Sequence, residues 1–232
     1  MYLPNRRSLP HLSLLPTLAL LLLQPALGVA EDLPVVFSVR AESAWSGSHD
    51  THIRIDSALD SSSARDTTVE ELHPSLGASL GVEIPISPYF APGVLVRGMA
   101  WSTKAAQDLE LVRNLWLDVD LTLRARLPLL EDRIAFYLLI PVGVTINRFS
   151  EDVQGRFDAD WYHGVGVNFS LLAGFAGQVT PALTLFIESG WTYRYFEHSS
   201  HGDVFGAPAG IALENAVNQL SLNLGVSFNL NP

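Results

Sequence analysis

From residue 35 almost to its end, the chain repeats one pattern: eight stretches in which alternate residues form an uncharged, mostly apolar set. Successive side chains of a strand point to opposite faces, whereas a helix would repeat every 3.6 residues, so a period of two predicts strands. The stretches cover 35–45, 75–84, 94–101, 115–127, 133–147, 164–175, 183–194 and 219–230. The fourth is the clearest. Leu115, Leu117, Val119, Leu121, Leu123, Ala125 and Leu127 alternate there with Trp116, Asp118, Asp120, Thr122, Arg124 and Arg126.

Alternation alone fits any sheet with one buried face, so the second face has to identify the solvent. It carries Arg40, Glu42, Glu83, Arg97, Asp118, Asp120, Arg124, Arg126, Arg133, Glu188 and Arg194, interleaved with glycine, serine and asparagine. A solvated outer face would be rich in lysine and glutamate. Arginines in near balance with acids, set among small residues, suit a crowded interior in which charges must pair. The uncharged face is then left to meet lipid, and about ten residues per strand suffice to cross the hydrocarbon when tilted.

Connections agree with this reading. Short links at 87–92, 128–132 and 179–182 alternate with long polar ones at 46–74, 102–114, 148–163 and 197–218. Short turns on one side and long loops on the other, with both termini on the short-turn side, predict an all-β, antiparallel up-and-down eight-stranded transmembrane β-barrel. Trp45, Trp161 and Trp191, with Tyr193 just beyond, fall on the lipid-facing parity at the long-loop ends, where an interfacial belt belongs. Trp101 and Trp116 lie near the same rim on the interior parity.

Arg6 and Arg7, an apolar run from Leu14 to Leu27, and Gly28-Val29-Ala30 have the layout of a secretory signal. The run holds two prolines and is too short for a helical span, so residues 1–30 are expected to be removed and 31–232 to form the barrel. The absence of cysteine excludes a disulfide-stapled fold. Loss of Arg6 and Arg7 would leave 12 basic against 24 acidic residues, which disfavours nucleic acid as a partner.

The region 31–232 resembles the small outer-membrane barrels of the OmpA, OmpX and OmpW type. Its last strand, Leu220 to Phe228, resembles the signal that such proteins present to the barrel-assembly machinery, although four residues follow the aromatic position here. The resemblance implies residence in a bacterial outer membrane, with lipid and lipopolysaccharide as neighbours, and leaves any surface ligand unspecified.

Function has three sequence-level readings. An eight-stranded interior is just wide enough for side chains to fill it, so the eleven charges are read first as a structural network, and the acidic outer loops as solvated or surface-binding. A narrow ion or solute path through Asp118, Asp120, Arg124 and Arg126 is the alternative. The third follows Tyr195-Phe-Glu-His198-Ser-Ser200-His-Gly202, which is similar to the His-x-Ser segment of the lipid A 3-O-deacylase barrels. That resemblance implies His198 as base, Ser200 as nucleophile and Glu214 as orienting acid, although His198 and Ser200 share the interior parity of Arg194 unless a bulge near Glu197 reverses it. His49, His52, His73, His163, His198 and His201 fall in the outer loops or at their rim, but no spacing matches a metal motif, and neither metal nor cofactor is expected.

Overall fold

The computed structural model describes residues 34–57, 60–71, 74–105, 109–130, 133–149, 164–204 and 207–230. The proposed signal segment, Trp161 and the histidines at 73 and 163 lie outside them. The described residues form nine strands: β1 Val36–Ser57, β2 Asp60–Glu71, β3 Ser75–Glu83, β4 Phe90–Ala105, β5 Leu109–Leu129, β6 Ile134–Phe149, β7 Gly164–Thr180, β8 Leu183–Val204 and β9 Ala207–Asn229. No helix occurs among the described residues.

Every pairing is antiparallel between neighbours, and β9 returns to β1, so β1, β3 to β9 close a ring of eight. Closure satisfies each backbone donor and acceptor within the sheet, as a lipid environment demands. β2 adds no ninth stave. β1 pairs with β3 from Val36↔Glu83 to Ala44↔Ser75, then with β2 from Ser48↔Glu71 to Ser57↔Asp60. β2 therefore prolongs β3 upward across residues 72–74.

The alternation sorts as expected. Leu76 and Leu121 are 74% and 72% exposed on the outer surface, with Leu80, Leu115, Val142, Val167, Leu185, Leu220 and Leu224 also exposed, while charged and small polar side chains turn inward. The barrel is apolar outside and polar inside.

At the short-turn end, Ser87 Oγ accepts from the backbone N–H of Tyr89 and Phe90, and Thr180 Oγ1 accepts from Leu183 N–H. The β5–β6 turn places Leu130 at φ 47°, a left-handed conformation at a non-glycine residue. Inside, aromatic rings fill the narrow bore where the facing strand offers glycine. Tyr137 pairs with Gly174, at which a Cβ would come within 2.6 Å of the phenol ring, and Phe186 pairs with Gly225 under the same constraint.

The outer half departs from the sequence reading. The links at 46–74, 102–114 and 197–218 are not irregular loops; strand pairing continues far into each. β8 and β9 stay paired to Val204↔Ala207, and β9 and β1 to Ser57↔Ala209. Among the described residues β7, by contrast, reaches β8 only to Val165↔Glu197, and β4 reaches β3 only to Leu76↔Ala100. A four-stranded wall, β2-β1-β9-β8, thus rises above the ring. Polar strands held by their ladders need no apolar stripe in water, so hydropathy gave no sign of them.

Candidate functional site

The lumen is organised as stacked layers. Nearest the short turns, Arg124 Nη2 lies 2.9 Å from Glu83 Oε1, and Arg40 spans Glu83 at 3.7 Å and Glu188 at 3.2 Å. Glu188 also accepts from Tyr137 Oη at 2.9 Å and from Asn223 Nδ2 at 3.2 Å. The guanidinium of Arg124 sits 4.5 Å from the Tyr137 ring centroid and that of Arg40 5.2 Å from the Phe186 centroid, so these cations have an aromatic face as well as a carboxylate.

A second charged layer lies further up. Arg97 contacts Asp120 at 2.8 Å and Asp118 at 3.5 Å, and donates to Ser170 Oγ and Asn168 Oδ1 at 3.0 Å each. Arg194 donates from Nε and Nη2 to Asp118 Oδ2 at 2.9 and 2.7 Å, and to Gln219. One carboxylate held by two guanidiniums, all buried, is costly to desolvate and costly to break.

Above this the lumen turns apolar. Ala44, Met99, Trp116, Phe196 and Val217 pack together, with Trp116 edge-on to Phe196 at 4.5 Å between centroids. Trp116 is therefore a lumen plug, as its parity indicated. Just beyond Ala44, Trp45 forms a bulge: Ala44 pairs with Ser221 and Ser46 with Leu220, leaving Trp45 extra. Parity along β1 flips there. His49 consequently turns inward, where its Nε2 meets Asn215 Oδ1 at 2.8 Å.

Of the eleven interior charges expected from the sequence, nine are buried in the lumen: Arg40, Glu42, Glu83, Arg97, Asp118, Asp120, Arg124, Glu188 and Arg194. The other two are less enclosed. Arg126 is half-buried, and Arg133 is exposed at the short-turn mouth, because alternation fixes which way a side chain points and not how deep its strand position lies. Both line an open vestibule of about 260 Å³ floored by Arg124, which sequence reasoning missed.

The belt residues stand outside. Trp45 and Trp191 are exposed at the level of Leu220, and Trp191 stacks on Tyr193 at 6.1 Å. A second aromatic set, overlooked in the sequence, occupies the opposite rim: Tyr89, Phe90, Phe175 and Phe228 are exposed there, with Phe136 edge-on to Phe175 at 5.3 Å. On β8 the eight steps from Leu183 to Trp191 rise about 26 Å along the strand, or about 20 Å at a 40° tilt, close to the apolar band of known barrels.

The hydrolase constellation is not brought together. The β8–β9 register runs unshifted from Leu183 to Val204, so no bulge near Glu197 reverses the parity. His198 is fully buried beside Phe196, whereas the half-buried Glu214 sits on the opposite parity to the inward Asn215; the side chain of Ser200 lies outside the described residues. Of the histidines expected at the outer-loop rim, His49 and His198 point into the lumen at that end, both beside Phe196, and His52 is half-buried on β1; the side chains of the other three lie outside the described residues. Among the described residues no three His, Asp or Glu side chains are arranged to hold a metal ion.

No protein-family model matches the chain, and no curated protein sequence does. Solved structures do. The outer-membrane protein OprG of Pseudomonas aeruginosa superimposes with a TM-score of 0.55 at 10% identity, over 83% of this chain and 95% of that one. The fold is that of a small outer-membrane β-barrel. Neisserial surface protein A, at 13% identity over 84% of this chain and 97% of its own, gives a TM-score of 0.42. Ail of Yersinia pestis, solved with the heparin analogue sucrose octasulfate, gives 0.34 at 10% identity, over 81% of this barrel and 98% of Ail.

Proposed function

We propose that this barrel resides in a bacterial outer membrane after export, has a lumen closed by its own side chains, and serves a structural or surface-binding role through its projecting wall. The inversion of polarity carries the reading: Leu121 and its neighbours are exposed outside while nine charges are buried inside. In water that arrangement would leave a continuous apolar belt in solvent, far beyond the few hundred Å² that monomeric proteins tolerate. In a bilayer it is the low-energy state. The aromatic sets at both rims support the same placement, with lipid and lipopolysaccharide as lateral neighbours.

The wall supports the surface role. Its four strands stand on the side opposite the short turns, the side that faces the exterior in barrels of this kind. The sequence of β1 and β2 beyond Trp45 carries Asp50, Asp56, Asp60, Asp66, Glu70 and Glu71, an acidic stretch suited to cations or to a basic partner. Gel mobility tests the core of this reading. The unheated protein should migrate differently from the boiled one, fractionate with outer membranes and require detergent for solubility. A protein that stays folded and monodisperse in detergent-free buffer would refute it.

A further inference from the structure

The vestibule at the short-turn mouth has a charge balance opposite to that of the chain. The whole sequence carries 24 acidic against 14 basic residues, yet among the described residues the charged groups lining this cavity are Arg124, Arg126, Arg133 and a single carboxylate, Glu83. That carboxylate is already engaged from the lumen side, 2.9 Å from Arg124 and 3.7 Å from Arg40. Among the described lining groups, guanidiniums thus outnumber carboxylates three to one.

The cavity is also built. Arg124 is only 7% exposed in its side chain, wedged against the Tyr137 and Phe186 rings, and its Nε has no hydrogen-bond partner among the described residues. A buried guanidinium N–H without an acceptor is a cost that an oxyanion would remove. Arg133 is held at the rim by its own backbone: its N–H donates to Leu130 O at 3.2 Å, and its carbonyl accepts from Gln178 N–H at 2.8 Å. Gln178 and Asn229 add amide groups to the wall, while Pro85, Pro88, Pro128 and Pro181 form stiff apolar sides without N–H groups. Toward the barrel centre, the Arg40–Glu188–Tyr137 layer closes the cavity, so an entering molecule would be retained and not passed on.

We propose that this vestibule is a binding site for a small phosphate-bearing anion entering from the short-turn side. Arg124 would ligate it from below and Arg126 and Arg133 from the rim, a set of planar donors suited to bidentate contacts with phosphate oxygens. The same chemistry is offered by free phosphate and by the headgroup of a lysolipid, and the volume admits either head.

Two probes separate the sources: inorganic phosphate, and lysophosphatidic acid below its micellar concentration. Each is titrated calorimetrically into the full barrel in zwitterionic micelles, so the result does not depend on the membrane orientation proposed above. Saturable, salt-sensitive binding is expected, weakened about tenfold or more in Arg126→Gln/Arg133→Gln through loss of charge-assisted bonds. Arg133→Gln alone, at an exposed position, should show a smaller loss with the unheated gel mobility retained. Equal affinity for the two probes assigns the site to a free anion, and tighter binding of the lysolipid assigns it to a lipid headgroup. Failure of both probes to bind would overturn the site, as would a double variant that binds as well as the parent.

Discussion

Glu188 is the residue on which the lower lumen converges, since it takes an ion pair from Arg40 and hydrogen bonds from Tyr137 and Asn223. Replacing it with glutamine keeps the volume and leaves the buried Arg40 only its longer, 3.7 Å contact with Glu83. Glu188→Gln should lower the unfolding free energy by about 3–5 kcal/mol, the usual cost of breaking a buried pair. Urea titration in micelles checks this, and a loss below about 1 kcal/mol, the range of a solvated pair, would mean that the charge is not held in a closed interior. Leu121 tests the opposite face. An arginine there should cost about 2–4 kcal/mol if the position is near the bilayer midplane, whereas a water-exposed position would absorb it almost freely. Refolding yield of Leu121→Arg into phospholipid vesicles measures the difference. At this scale the sequence was legible in direction and illegible in depth. It told Arg124 and Arg133 apart from Leu123 and Ile134 by parity, but could not tell that Arg124 is buried while Arg133 is at the mouth.

Among the elements, the upper halves of β1, β2, β8 and β9 were the part the sequence concealed. A strand facing lipid must show an apolar stripe; a strand in water satisfied by its two neighbours need not. The stretch from Ser46 to Ser57 is strand without such a stripe, and the bulge at Trp45 breaks the phase just where the apolar run ends. The eight ring segments were readable because each carries an apolar stripe on its outer face. Since the ring closes below the wall, the β1–β2 tip should be dispensable for folding. Replacing residues 53–66 with an Asn-Gly turn should leave the unheated gel mobility unchanged and shift the midpoint of thermal unfolding by no more than a few degrees, as expected for shortening a peripheral hairpin. Loss of the folded band would show instead that the wall nucleates the barrel.

For the molecule as a whole, the question is whether anything passes through. Two layers of paired charge and the plug of Trp116, Phe196 and Val217 occupy the bore in series. An eight-stranded ring has no width left beside them. Planar bilayers containing the purified protein should show no resolved single-channel steps, and Phe196→Ala should not open them, because the ion-paired layers remain below. Steady unitary conductance in the parent protein would revive the reading in which Asp118, Asp120, Arg124 and Arg126 form a path. That alternative was open on the sequence because the residues of a salt-bridge network and of an ion path are the same types; only the distances between them separate the two.

The seam between β1 and β9 runs from Val36↔Asn229 to Ser57↔Ala209, joining the two ends of the described barrel. A cylinder whose first stave is fastened by its last cannot be sealed piecemeal as the polypeptide emerges. Until the C-terminal strand arrives, β1 and β8 each keep a raw margin of amide groups that hydrocarbon will not accept. In the bilayer proposed for this barrel, insertion and completion are then expected to coincide, with β1 left open on that side until β9 is in place.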